Sequence, residues 1–200
     1  MKVRKITDRK DYDLYTTDVT YDYSIDDIIS SGITDTQSII DAVIRLYLPG
    51  LDIKYKAPEF GCSAFSTGDT RGHVLTGRNY DFKNDTSAML VHCRPTGGYE
   101  SVATAALDNI GMNAPEDEKR AALANIAAPF ICLDGLNEKG VSIAVLTLDS
   151  EPTFQHTGKP VIATTLAIRL VLDRAATTQE AVDILKQYDM MASSGRDYHF

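Results

Sequence analysis

No apolar stretch of this chain is long enough to cross a membrane. The longest, over residues 161–172, is broken by Thr and Arg, short of the ~18 uninterrupted residues that a span needs. Basic residues occur only as scattered singles and pairs, and the net charge is −8, so the positive footprint of a nucleic-acid binder is missing. Residues 1–11 are charged and have no apolar centre. No secretory signal is read there, and a cytoplasmic location is expected. The three cysteines, Cys62, Cys93 and Cys132, form no CxxC pair, and an odd, widely spaced set argues against a disulfide framework. Cys93 and Cys132 sit in apolar runs and read as small buried hydrophobes. There is no G-x-S-x-G, HExxH, Walker A or GxGxxG run. The histidines, His73, His92, His156 and His199, lack metal-ligand spacing; His92 and Cys93 are adjacent and would point to opposite faces of a strand. Neither a metal nor an organic cofactor is expected.

The remaining composition, 44% apolar and 24% charged over 200 residues, is that of one globular domain with a sizeable core. Residues 1–23 are polar and rich in Asp, Thr and Tyr, and read as extended or loosely packed. A short helix is expected over 24–31. A capping box at 34–37 opens a second helix whose apolar face holds Ile40, Val43, Ile44, Tyr47 and Leu48, and Pro49-Gly50 stops it. After Ala57-Pro58 the pattern turns to strands. A hairpin is predicted with strands over 61–67 and 73–80 and its turn at 69–72. Further strands are expected over 88–94, 99–106 and 141–148, and a helix over 116–127 with an acidic first turn. Two closing helices are read over 161–176 and from a capping box at 177–180 to about residue 188. The last residues, Tyr198-His199-Phe200, read as the start of a strand. This order suggests a layered α+β domain, incomplete at its C-terminal end.

The run Gly61-Cys62-Ser63-Ala64-Phe65 stands out, followed by Gly77-Arg78-Asn79-Tyr80-Asp81-Phe82. A thiol is a useful nucleophile only where a base or a positive neighbour generates the thiolate. No histidine lies close to Cys62 in sequence. Cutting the Gly61–Cys62 bond would give Cys62 its own base, because a free α-amino group titrates near pH ~8. Gly61 has no side chain to keep the thiol from its carbonyl. Arg78 can stabilise the thiolate, and Asp81 can hold the new ammonium. Their odd spacing puts them on opposite faces of a regular strand, so both face Cys62 only if the strand ends or bulges near Tyr80. A surface ion pair beside a hairpin is the plainer reading of those two residues alone.

With Arg78 sixteen residues after Cys62, and with Asp134-Gly-Leu-Asn-Glu-Lys-Gly-Val141 further on, the sequence resembles the choloylglycine hydrolase family of N-terminal-nucleophile hydrolases. That family includes conjugated bile acid hydrolases and penicillin V acylases. The resemblance runs from about residue 61 to the end. It implies a four-layer αββα sandwich, with residues 1–61 a partly helical prosegment and 62–200 the N-terminal portion of the catalytic domain. It implies Cys62 as nucleophile and Arg78 and Asp81 as its partners. The reaction would be hydrolysis of the linear C–N bond of a small acyl amide, through a thioester, without cofactor. Where bile salt hydrolases place an oxyanion-hole Asn, this chain has Thr147. The family's later catalytic Asn and Arg, and several strands, would fall beyond Phe200. A homo-oligomer is also expected.

Other readings stay open at this level. An acyltransferase would share the thioester and pass the acyl group to an amine. A catalytically silent, unprocessed homologue would keep only the scaffold. A papain-like hydrolase would pair Cys62 with His156 or His199, but the flanking signature of that class is missing.

Overall fold

A computed structural model describes residues 3–8, 13–54, 61–81, 87–112, 114–115, 117–192 and 197–200. Ala57-Pro58, Phe82 and Glu116 lie outside the described residues. The chain opens with an antiparallel pair, β1 (Val3–Asp8) and β2 (Asp13–Val19). Alternation along β2 buries Tyr15, Thr17 and Val19 on one face. Of the two readings of residues 1–23, extended or loosely packed, the described part takes the extended one, and β2 is packed rather than loose. Helix α1 (Ile25–Ser30) starts where the Ser24 hydroxyl accepts the Asp27 N–H at 3.2 Å. In α2 (Thr36–Tyr47) the capping box is Asp35 with Ser38, one residue later than expected, because the Asp35 carboxylate accepts the Ser38 N–H at 2.7 Å.

The predicted hairpin follows, β3 (Gly61–Gly68) against β4 (Val74–Asp81), its turn fastened by Asp69, which accepts the N–H groups of Arg71 and His73 at 2.8 Å. Next come β5 (Ala88–Cys93), β6 (Ser101–Ala106), α3 (Glu118–Ala127) and β7 (Cys132–Asn137). The strand expected over 141–148 is two pieces, β8 (Ser142–Ala144) and β9 (Leu146–Leu148). The Val145 N–H still donates to Leu133 O at 2.9 Å, continuing the β7–β8 ladder, and after it the chain parts from β7: β8 pairs with β7 while β9 pairs with β12 (Asp197–His199). The expected helix over 161–176 begins with a short strand, β10 (Val161–Ala163), parallel to β11 (Asp189–Met191). Helices α4 (Thr164–Arg174) and α5 (Thr178–Leu185) follow β10.

The main sheet has the order β1-β2-β5-β6-β7-β8. One face carries Tyr15, Val19, Met89, Val91, Ala103 and Ala105 into the core. Against this sheet α3 packs on β1 and β2 and α4 on β7 and β8, while α2 touches both helices. The other face leaves Leu90, Val102 and Leu136 exposed. Residues 13–53 belong to the same core as the rest: Tyr23, Ile28, Ile39 and Ile40 cluster with Phe130, Leu166 and Leu170. Helix α4 is buried almost throughout, and its Arg169 is fully enclosed. That guanidinium bonds Asp173 and Ser101 at 2.6 Å each and Cys93 Sγ at 3.3 Å, while Tyr23 donates to Asp173 at 3.2 Å. A buried cation needs such partners to offset lost hydration.

Asp134-Gly-Leu-Asn-Glu-Lys-Gly-Val141 divides its labour in space. A side chain at Gly135 would place its Cβ 2.6 Å from Leu172 and 3.0 Å from the Val102 carbonyl, so glycine lets α4 lie directly on β7. Asn137 donates to Leu172 O at 3.0 Å and Ala175 O at 2.7 Å, closing the C-terminal end of α4. Its carbonyl accepts Lys139 N–H and Val141 N–H, which ties the β7–β8 turn. Gly140 takes φ +83° in that turn. Asp134 points the other way, toward the hairpin.

Candidate functional site

The hairpin register pairs Gly61 with Asp81, Cys62 with Tyr80 and Ala64 with Arg78. Strand alternation therefore puts Cys62, Tyr80 and Arg78 on one face, because the diagonal neighbour across an antiparallel pair shares a face with its partner. That face turns inward: Cys62 and Tyr80 are partly buried against the core. The rest of the hairpin stands in solvent, with Phe65 64% and Val74 74% exposed.

Arg78 crosses from the hairpin to the main sheet. Its Nη2 donates to Cys62 Sγ at 3.1 Å and to Val145 O at 3.0 Å. Its Nε lies 3.1 Å from Asp134 Oδ2, and its guanidinium carbon stands 4.9 Å over the Tyr80 ring. The Nε contact is one of charge rather than an aligned hydrogen bond, and Nη1 is buried without a hydrogen-bond partner among the described residues.

Thr147 approaches from β9, which runs beside β3. Its backbone N–H lies near enough to the Cys62 sulfur to pull the thiol's titration down, and its Oγ1 is buried without a hydrogen-bond partner among the described residues. An inward hydroxyl and an N–H at a sulfur are what a developing oxyanion requires nearby.

Asp81 is placed differently. It ends β4 on the opposite face from Cys62 and takes a hydrogen bond from Asn79 Nδ2 at 2.5 Å. A Cβ at Gly61 would lie 3.8 Å from Asp81 Oδ2, so the carboxylate stands beside the Gly61–Cys62 peptide rather than at the thiol. The pair shows no bulge. The structure thus brings Arg78 and Thr147 to the sulfur and leaves Asp81 at the peptide.

Charges at the sulfur oppose one another. Burial pushes the Cys62 thiol up, the Arg78 charge and hydrogen bond and the Thr147 N–H pull it down, and Asp81 pushes it up slightly; the net direction is upward. In the intact chain the thiol therefore keeps its proton at neutral pH and needs a base. Asp134 carries a related conflict: burial raises its carboxyl above the ordinary range against the pull of Thr104 and Arg78.

Asp134 and the Val145 carbonyl were not foreseen as parts of the site. Asp134 lies in a recognisable motif, but nothing in the sequence says that it faces Arg78. The Val145 carbonyl carries no sequence signal. Among the described residues Arg78 is the side chain that hydrogen-bonds the Cys62 sulfur, and neither His156 nor His199 takes that place. Among the described residues, no group of three or more His, Cys, Asp or Glu is arranged to hold a metal ion, and no helix is long and apolar enough to cross a membrane.

No curated protein and no solved structure matches this chain significantly. A family model does match, that of the linear amide C-N hydrolases, choloylglycine hydrolase family, over residues 62–199. The match begins at the cysteine whose sulfur Arg78 holds and takes in the Asp134 motif and Thr147. With more than half of its length covered, the chain belongs to the choloylglycine hydrolase family of linear amide C-N hydrolases.

Proposed function

We propose that Cys62 is the nucleophile of an amide hydrolase and that it becomes N-terminal when the chain cleaves its own Gly61–Cys62 bond. The carrying observation is the Arg78 guanidinium, anchored on the main sheet and 3.1 Å from Sγ. A family match that starts at residue 62 also supports the reading. In the cleavage step Sγ adds to the Gly61 carbonyl carbon. The C–N bond to Cys62 breaks, leaving a Gly61 thioester and a free α-amino group. Water then hydrolyses the thioester and frees Sγ and a Gly61 carboxylate. Residues 1–61 are on this reading a prosegment, although its residues from Tyr15 to Ile53 contribute to the core.

In turnover the new α-amino group takes the thiol proton, which answers the upward pull of burial on the thiol. The thiolate attacks the acyl carbon of an N-acyl amide or amino-acid conjugate. As the C–N bond breaks, the proton passes to the departing amine, and water releases the acid from the thioester. Asp81, beside the scissile peptide, is suited to hold the ammonium, and Thr147 to stabilise the oxyanion. The sandwich expected of the family is supported by a helix-covered sheet whose other face meets the hairpin at Arg78 and Asp134.

The test is Cys62→Ala against a panel of N-acyl amino acids, with N-terminal sequencing of the unaltered protein. Turnover should disappear, and the unaltered protein should yield a chain beginning at Cys62. Turnover by Cys62→Ala at the parent rate sinks the proposal. Removing an oxyanion donor costs roughly 10²–10³ in kcat, so Thr147→Val should slow turnover by that order if its hydroxyl donates.

A further inference from the structure

We propose that Asp134 is the positioning residue of this site: its carboxylate on β7 sets the Arg78 guanidinium so that Nη2 meets the Cys62 sulfur. The proposal rests on the reading of Cys62 as nucleophile but is testable apart from turnover.

An arginine side chain has several rotatable bonds and no preferred end point of its own. Here its position is defined on three sides. Asp134 Oδ2 stands 3.1 Å from Nε, Val145 O accepts from Nη2 at 3.0 Å, and the Tyr80 ring lies under the plane at 4.9 Å. Tyr80 travels with Arg78 on the same strand, so its ring backs the guanidinium without itself being a main-sheet group. Val145 provides one carbonyl dipole. Asp134 is the only full opposite charge in an ion pair with Arg78 among the described residues, and the pair is largely enclosed, at 9% and 18% side-chain exposure. Asp134 is itself held, since its other oxygen accepts the Thr104 N–H at 3.2 Å. Its neighbour Gly135 allows α4 to lie on β7 from behind. The position of the cation at the sulfur is thus referred to the rigid main sheet and not to the exposed hairpin.

Two roles for Asp134 predict opposite signs. Were Asp134 a counter-charge only, its neutralisation would leave Arg78 in place with a less opposed positive charge, and Cys62 would ionise more readily. As a positioning residue, its loss frees Arg78 from the sulfur, and Cys62 ionises less readily.

The experiment is alkylation of the full chain with iodoacetamide across pH, read by mass spectrometry at the Cys62 peptide. Fully buried Cys93 and Cys132 serve as internal reporters of the folded state. Asp134→Asn should slow Cys62 alkylation at neutral pH roughly tenfold, the effect of moving a thiol's titration by one pH unit. Asp134→Glu keeps the charge but shifts it by one methylene, and should fall between Asp134→Asn and the parent. In an Arg78→Gln background, already slow, Asp134→Asn should add nothing. A rate for Asp134→Asn equal to or above the parent overturns the proposal, as does full additivity with Arg78→Gln. If Asp134→Asn does not fold, Asp134→Glu decides, and an unchanged rate overturns it. Absence of amide turnover by the unaltered protein, with these alkylation results intact, would count against the hydrolase reading alone.

Discussion

Residues 13–53 and the β3–β4 hairpin both carry well-spaced apolar side chains, yet they meet water in opposite ways. The first segment buries Tyr15, Ile28, Ile39 and Ile40 in the common core. The second leaves Phe65, Val74 and Leu75 in solvent and is partly buried at Cys62, Gly77, Arg78 and Tyr80. The segment that precedes the nucleophile is thus the better integrated of the two. The hairpin that bears the nucleophile borrows its order from the main sheet through Arg78.

The comparison is most directly broken at the joint between residues 13–53 and α4. Arg169→Ala would leave Asp173 buried without its cation, and breaking a buried pair from one side costs about 3–5 kcal/mol. Denaturant unfolding should show a loss of that size, and a loss below ~1 kcal/mol would mean that the network does not hold the two parts together. Ile39→Ala, inside the N-terminal segment, should cost about 2–5 kcal/mol in the same measurement. If residues 13–53 were only loosely attached, unfolding would not register it. Asn137→Ala leaves the last carbonyls of α4 without their donor and should cost about 1–3 kcal/mol. In the hairpin, Phe65→Ala should stay within about 0.5 kcal/mol, since the ring is mostly solvated.

The smallest effect concerns the hairpin tip. The Asp69 carboxyl is held below its ordinary 3.8 by hydrogen bonds from the His73 ring and from the backbone N–H groups of His73, Arg71 and Gly72. Its folded value is lower than its unfolded value, so its contribution is present above 3.8 and is lost as pH falls through the lowered value. Proton NMR should show the resonances of Gly72 and His73 moving in that acid range while the core signals of Ile28 and Ile39 stay put. A single shared transition would mean that the hairpin tip and the core respond to acid as one unit.

Much of this was legible along the chain. The hairpin over 61–81, the strands β5 and β6 and the helices α1, α2, α3 and α5 follow from local alternation, helical spacing and caps at Ser24, Asp117 and Thr177. Strands β1 and β2 were legible only as extended or loosely packed chain, because Asp and Thr on the outward face of β2 masked Tyr15 and Val19. The break at Val145 was not legible, because it depends on β9 pairing with β12, a strand far along the chain, instead of with β7. At the site, Cys62 and Arg78 could be named from spacing and resemblance. The placement of Asp81 beside Gly61 and of Asp134 behind Arg78 could not.

What the sequence determined by itself is the chemistry on offer: a cysteine after a glycine, an arginine sixteen residues on, and the motif that begins at Asp134. Residue types and local periodicity are properties of the chain, and they suffice to recognise the family. Tertiary structure alone decided which of these groups meet. Arg78 and Asp134 are brought together by the packing of two sheets, and Thr147 reaches the sulfur only because β9 leaves the main sheet to run beside β3. Those contacts span 56 to 85 positions of sequence, a separation over which no local rule of backbone or side chain applies, so Cys62 acquires its cation and its N–H only in the folded molecule.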